Sequence, residues 1–127
     1  ADVLRNGEDG VIFAIGTEVP YSLEATEMLK NKGKSFAVVN VSTLKPLDTK
    51  TIIPLLKKFK NVFTVEDHSI VGGLGSAIAE LIAENALGNK LVRIGMRDKF
   101  GESGTSEALL KKYGLDSAGI ARLISKS

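Results

Sequence analysis

Val62–Gly88 reads VFTVEDHSIVGGLGSAIAELIAENALG and holds a strand, a polar turn and a helix in direct succession. Val62–Val65 is a short apolar run that favours a β-strand, and four polar residues at positions 66–69 follow it. Three glycines within residues 72–75 then lead into an amphipathic helical pattern that stops at Gly88. In α/β proteins, a buried strand that ends in charged residues and turns into a helix builds a functional site at that edge of the sheet.

The composition indicates one soluble globular domain that spans residues 1–127, with 43% hydrophobic and 25% charged residues. A net charge of +2 and scattered lysines indicate neither a nucleic acid nor an anionic membrane as partner. The absence of cysteine excludes disulfides, thiolate zinc sites and a cysteine nucleophile, and it fits a cytoplasmic location. No apolar run approaches membrane-spanning length. Because the chain begins with Ala1 rather than Met, we expect it to be a processed or excised piece of a longer protein.

Apolar runs predict four strands with helical patterns between them. The runs are continuous rather than alternating, which is typical of parallel strands covered on both faces. Asp2–Arg5 lies too close to the first run for a helical crossover, so we expect it to pair antiparallel. The fold class is therefore α/β, a three-layer α/β/α sandwich around a mostly parallel sheet. The four runs are Val11–Ile15, Phe36–Val41, Val62–Val65 and Leu91–Ile94.

Capping residues predict the ends of the helices. Thr17 is expected to cap the first helix, and Gly33 is expected to stop it in a left-handed conformation. Pro54 lacks an amide hydrogen, so regular helix after the cap at Asp48 is expected only near Ile53. The helical segments are expected at Thr17–Lys32, after Asp48, at Ser76–Leu87, at Thr105–Tyr113 and after Asp116.

Four loops are expected to lie together, because the carboxyl ends of parallel strands meet at one edge of the sheet. They comprise residues 16–18, 42–48 (STLKPLD), 66–75 and 97–104 (RDKFGESG). The candidate site residues around the third loop are Glu66, His68, Gly72, Gly73, Gly75 and Ser76, and those in the fourth loop are Asp98, Phe100, Gly101 and Ser103.

Familiar catalytic and cofactor motifs do not fit these loops. Gly73 and Gly75 resemble the start of a dinucleotide fingerprint, but Ile78 stands where its third glycine belongs. His68 has no further ligands at metal-binding spacing, and no G-x-S-x-G pattern surrounds any serine. We therefore assign no catalytic, cofactor-binding or metal-binding residue. As a single histidine among carboxylates, His68 is interpreted as holding the loop rather than moving protons.

Five segments across Val3–Ile124 resemble the C-terminal domain of transketolases, especially the C-terminal subunit of split bacterial and archaeal transketolases. They read VLRNGEDGVIFAIGTEV, VVNVSTLKPLD, TVEDHSIVGGLGSAIAE, RIGMRDKFGESG and YGLDSAGIARLI. The third and fifth also resemble deoxyxylulose-5-phosphate synthase, in which the FGESG segment usually differs. The resemblance implies a five-stranded sandwich in which one edge strand is antiparallel to the rest.

The resemblance also implies a part of a ketol-transferring enzyme that does not catalyse the transfer alone. In this family thiamine diphosphate and its Mg²⁺ bind between two other domains, so neither is expected on this chain. The implied partners are those N-terminal thiamine-binding and pyrimidine-binding domains and a second copy of the chain in a homodimer. Residues 66–76 would face the rest of the enzyme and residues 98–103 would complete that interface, with Phe100 as its aromatic anchor.

Two alternatives remain open at this point. The parent enzyme is a deoxyxylulose-5-phosphate synthase in the first. In the second, the chain is a regulatory module whose amides near Gly73 to Ser76 bind a phosphate or carboxylate metabolite at a helix N-terminus.

Overall fold

A computed structural model describes residues 1–69, 72–96 and 107–127, and in them five strands form one sheet. The strand order is β1-β3-β2-β4-β5, in which β1 pairs antiparallel with β3 and the other three pairings are parallel. This confirms the predicted mostly parallel sheet with one antiparallel edge strand. The strands are β1 (Asp2–Arg5), β2 (Gly10–Ala14), β3 (Phe36–Asn40), β4 (Asn61–Ser69) and β5 (Lys90–Met96).

Helices cover both faces of the sheet, as the continuous apolar strands predicted. They are α1 (Glu18–Lys30), α2 (Thr49–Lys58), α3 (Leu74–Glu84), α4 (Glu107–Lys112) and α5 (Ser117–Ser125). Ile12 points from β2 into the core under α1 and α5. Its neighbour Phe13 points into the opposite core under α2 and α3. None of the helices in the described ranges is long and apolar enough to cross a membrane.

The prediction that regular helix begins near Ile53 is wrong, since α2 begins at Thr49 and contains Pro54. Asp48 caps this helix through its Oδ1 atom, which accepts a hydrogen bond from the Thr51 amide at 3.3 Å. Ile52 is buried in the core and holds the first turn against the sheet. One absent backbone hydrogen bond at Pro54 is tolerated because the cap and the buried side chain keep the turn in place.

The strand β4 is longer than predicted, because it continues from Val65 through the polar residues to Ser69. The prediction of a loop from Glu66 onward is therefore wrong for the first four polar residues. The register of β4 against β5 shifts between Val65 and Ser69, so the regular ladder is interrupted there. The first of these polar residues, Glu66, has its carboxylate satisfied inside the fold by two backbone amides.

The other helix ends differ from the predictions by a few residues. Helix α1 ends at Lys30, and Gly33 adopts the expected left-handed conformation with φ +82°. Helix α3 starts two residues earlier than expected and ends at Glu84. The α5 cap is confirmed, since Asp116 Oδ1 accepts a hydrogen bond from the Gly119 amide at 2.9 Å.

Gly119 in α5 generates a prediction, because a Cβ atom there would lie 2.6 Å from the carbonyl oxygen of Gly114. The clash is with backbone atoms, which cannot rotate away, so it outweighs the gain of about 1 kcal/mol that alanine brings to a helix. We expect Gly119→Ala to lower the free energy of unfolding by about 1–3 kcal/mol in chemical denaturation.

The matched control is Ala118→Gly, at the exposed neighbouring position of the same helix. It should lower the free energy of unfolding by about 1 kcal/mol through helix propensity alone. A Gly119→Ala protein as stable as the wild type would contradict the proposed clash.

Candidate functional site

The loop after β2 meets the last residues of β4 at the carboxyl edge of the sheet. Thr17 joins them, because its Oγ1 atom donates a hydrogen bond to Asp67 Oδ2 over 2.6 Å. Thr17 precedes α1 as expected, but its side chain does not cap the helix. Its hydroxyl serves a tertiary contact instead, which the capping prediction did not include.

Glu66 lies at the centre of this edge and is only 1% exposed. Its Oε1 atom accepts a hydrogen bond from the Leu74 amide at 2.9 Å, and its Oε2 atom accepts one from the Gly75 amide at 2.8 Å. These are amides of the first turn of α3, which have no partner within the helix. The carboxylate of Glu66 therefore occupies the place at this helix N-terminus where a bound anion would otherwise sit.

The three glycines of the turn each have a structural role. Gly72 has φ +75°, and its amide donates a hydrogen bond to Ser76 Oγ at 3.0 Å. Gly73 is the N-cap residue of α3 in an extended conformation. A Cβ on Gly75 would lie 2.9 Å from Arg93 Cδ and 3.0 Å from Thr64 Oγ1. Turn geometry, capping and close packing thus account for the glycines without a bound phosphate.

An open groove of about 740 Å³ runs beside this turn, between α3 and the loop after β3. Gly73 and Ser76 line one side of it, and Lys45 lines the other. Glu80 and Glu84 extend the side that is formed by α3. The groove therefore combines an exposed lysine with two exposed carboxylates, and it extends from the turn at the strand ends along α3.

Glu18 is a second buried carboxyl group at this edge, and it is not among the candidate site residues that the sequence predicted. It is the first residue of α1 and is 0% exposed. Within the described ranges, neither of its carboxyl oxygens has a hydrogen-bond partner. Burial, followed by the negative charges of Asp67 and Asp116, raises the pKa of Glu18 from 4.5 to about 8. The fold therefore favours the neutral form of this side chain at pH 7.

A pattern in the sequence does place Glu18 inside. The buried residues of α1 fall at helical spacing, so Leu29 and Ala25 define a stripe that continues through Ser22 to Glu18. An acidic residue in a first helical turn is ordinarily interpreted as a solvated partner of the helix dipole. That interpretation does not predict that Glu18 is buried.

Of the predicted site residues, the structure brings together Glu66, Gly72, Gly73, Gly75 and Ser76 around the start of α3. The side chain of His68 lies outside the described residues, so its structural role stays a prediction. The same holds for Asp98, Phe100, Gly101 and Ser103, since all four lie outside the described residues.

The described residues of this edge do not fit a diphosphate group. The amides of α3 that are suited to an anion are bonded to Glu66, and the carboxyl groups of Glu18 and Asp67 lie nearby. No cluster of three or more histidine, cysteine or acidic side chains in the described ranges is arranged to hold a metal ion. We therefore place no step of thiamine diphosphate chemistry on these residues.

The bond between Glu66 and α3 leads to a prediction for Glu66→Gln. Glutamine keeps the shape but has one oxygen, so one amide of α3 would face an NH₂ group instead of an acceptor. We expect the free energy of unfolding to fall by about 2 kcal/mol in chemical denaturation.

Glu80→Gln, at an exposed site on the same helix, is the matched control and should change the stability by less than about 0.5 kcal/mol. Equal stability of the two variants would show that the two hydrogen bonds do not hold the helix in place.

Comparison with known proteins finds a family model described as the transketolase C-terminal domain, which matches residues 1–120. The chain is 52% identical over 123 residues to a Methanocaldococcus jannaschii protein described as a transketolase C-terminal section, covering 96% of this chain and 38% of that protein. It is 46% identical over 123 residues to a 1-deoxy-D-xylulose-5-phosphate synthase of Caldanaerobacter subterraneus, covering 97% of this chain and 20% of the synthase. These matches confirm the resemblance that the five sequence segments indicated.

Solved structures agree with these matches. A protein described as a split-gene transketolase, inactive beta4 tetramer, has a TM-score of 0.88 and 40% identity, covering 98% of this chain and 40% of that chain. A transketolase variant from Pichia stipitis has a TM-score of 0.71 and 21% identity, and the match covers 98% of this chain and 17% of that transketolase. This second match shows a similarity of fold alone. The chain thus spans two fifths or less of the length of each of these proteins.

Proposed function

We propose, since the chain belongs to the family of transketolase C-terminal domains, that it is the non-catalytic assembly domain of a transketolase. The parent enzyme would transfer two-carbon ketol units between sugar phosphates with thiamine diphosphate and Mg²⁺. The N-terminal thiamine-binding and pyrimidine-binding domains of the enzyme would hold both cofactors. This chain would contribute its carboxyl edge as a contact surface and take no part in the chemistry.

One observation carries the proposal, namely that Glu66 bonds to both the Leu74 and the Gly75 amides. A helix N-terminus at the end of a parallel strand is where α/β proteins bind phosphates. Here the chain fills that place with its own carboxylate. Such a site is suited to contact with another protein surface rather than to a sugar phosphate or a diphosphate. The regulatory alternative, in which these amides bind a metabolite, loses support for the same reason.

The length comparison also supports a role within a larger enzyme. The transketolase C-terminal section of M. jannaschii is more than twice as long as the matched region, since the chain covers 38% of it. We propose that the remaining length of the enzyme supplies the domains that bind thiamine diphosphate. A cytoplasmic location of this enzyme remains a prediction from the sequence.

We further propose that the chain forms a homodimer. The description of the split-gene relative as a tetramer supports self-association in this family. The aromatic side chain of Phe100 remains the anchor proposed from the sequence, because it stands among polar and glycine residues and aromatic side chains are enriched at interface centres.

The first test is a reconstitution of activity. The chain alone, supplied with thiamine diphosphate, Mg²⁺ and sugar phosphates, should show no ketol transfer, because the cofactor-binding domains are separate. Mixing it with those domains from the same enzyme should restore the transfer. Turnover by the chain alone would contradict the proposal, and so would full activity of the other domains without it.

The second test reverses one charge at the carboxyl edge. Lys45→Glu places an acid across the groove from Glu80 and Glu84 and removes its lysine. If this groove is part of the contact surface, sedimentation of the reconstituted enzyme should show association weakened by about tenfold.

Lys34→Glu is the matched control, because this exposed lysine lies at the opposite end of β3 and carries the same change of charge. It should associate like the wild type. If both variants weakened association equally, the cause would be the net charge of the chain. If Lys45→Glu did not weaken association, the groove would be excluded from the interface.

A second candidate function is supported by the 46% identity to a 1-deoxy-D-xylulose-5-phosphate synthase. In that case the chain would be the corresponding domain of such a synthase. The reconstituted enzyme distinguishes the two, since only one of them forms 1-deoxy-D-xylulose 5-phosphate and only the other transfers ketol units between sugar phosphates.

A further inference from the structure

Glu18 lies where three elements meet. It opens α1, and its amide donates a hydrogen bond to the carbonyl oxygen of Ile15 just after β2 at 3.3 Å. The neighbouring Thr17 ties this point to Asp67 of β4. On the other side, α5 is joined to α1 by a hydrogen bond from Ser117 Oγ to Glu24 Oε2 at 2.9 Å. These hydrogen bonds thus join α1 to both β4 and α5.

The charged groups around Glu18 are unfavourable to a carboxylate. Among the described residues, the charges that act on it are Asp67 on β4 and Asp116 at the start of α5, and both are acids. The side chain is 0% exposed, and neither oxygen has a hydrogen-bond partner in the described ranges. A buried carboxylate without a partner is strongly disfavoured, whereas the neutral acid is tolerated.

We infer that this junction is a proton-dependent latch, which is stable while the Glu18 carboxyl is neutral and is weakened when its proton leaves for solvent. Glu66 is not part of the latch, because its carboxylate is paired with two amides. The latch would make the stability of the domain depend on pH near neutrality, where surface carboxylates no longer titrate.

The direction of the pH effect follows from the two states of Glu18. Burial, and after it the charges of Asp67 and Asp116, raise the pKa of Glu18 to about 8 in the folded chain, against the ordinary 4.5. Between pH 4.5 and 8 the folded chain keeps a proton that the unfolded chain has released, so unfolding releases that proton. The unfolding equilibrium constant should therefore rise about tenfold per pH unit through this window because of Glu18, and the contribution should level off outside it.

The test compares the wild type with Glu18→Gln, which mimics the neutral acid and cannot ionise. The ratio of their unfolding equilibrium constants, measured by denaturation at pH 5.5, 6.5 and 7.5, should rise about tenfold per pH unit. Titration of all other groups cancels in this ratio, and any constant cost of the glutamine leaves its slope unchanged. Glu84→Gln on the exposed face of α3 is the control and should give a flat ratio.

A second measurement needs no mutation at Glu18. Carbon NMR of the glutamate carboxyl groups in the unmutated chain should show Glu18 titrating with a midpoint near pH 8. Asp67→Asn should lower that midpoint, because asparagine removes the charge and can still accept the hydrogen bond from Thr17. Asp116→Asn should act in the same direction while still capping α5.

A flat ratio between wild type and Glu18→Gln would overturn the inference. So would a midpoint near pH 4, which would show that a hydrogen-bond donor reaches the carboxylate and stabilises its charge.

Discussion

The bidentate contact of Glu66 with the Leu74 and Gly75 amides holds the carboxyl edge of the sheet together. A buried carboxylate is costly unless it is paired, and the first amides of a helix are unsatisfied unless something accepts from them. The two hydrogen bonds offset both the cost of burying the carboxylate and the cost of leaving the amides unpaired. Because Leu74 and Ile78 pack α3 onto the sheet, the same contact sets where this helix begins and how it lies on β4.

The two buried glutamates at this edge differ in how the fold accommodates a buried carboxyl group. Glu66 has each carboxyl oxygen bonded to a backbone amide, so burial leaves neither oxygen without a partner. For Glu18, burial and, after it, the negative charges of Asp67 and Asp116 raise the pKa to about 8, so the side chain remains neutral at pH 7. One carboxyl group therefore works as a fixed structural element, while the other makes the junction of α1, β4 and α5 sensitive to protons. The burial of both reflects the same tight packing of helices over strand ends.

These features agree with a domain that supports an enzyme through contact rather than through chemistry. In enzymes of this architecture, the edge at which parallel strands end is the usual place for a ligand. Here the internal bonds of Glu66 and of Thr17 use the polar groups that a ligand would need. What the edge offers outward is a groove with Lys45 on one side and the acids of α3 on the other. Charge patterns of this kind set the orientation and specificity of protein contacts more than their strength.

The sequence alone determined the fold class and the antiparallel edge strand at Asp2–Arg5, because apolar periodicity, glycine and cap positions are local properties of the chain. The family followed from the resemblance of five of its segments. The sequence also placed the site residues near the start of α3. Only the tertiary structure decided what those residues do. Nothing local shows that Glu66 turns inward to reach amides eight and nine residues later, or that Glu18 faces acids from β4 and α5. The partner of a polar side chain depends on elements that are distant in sequence. For a buried carboxyl group, those elements decide whether backbone amides hold it in place or whether it remains a neutral acid.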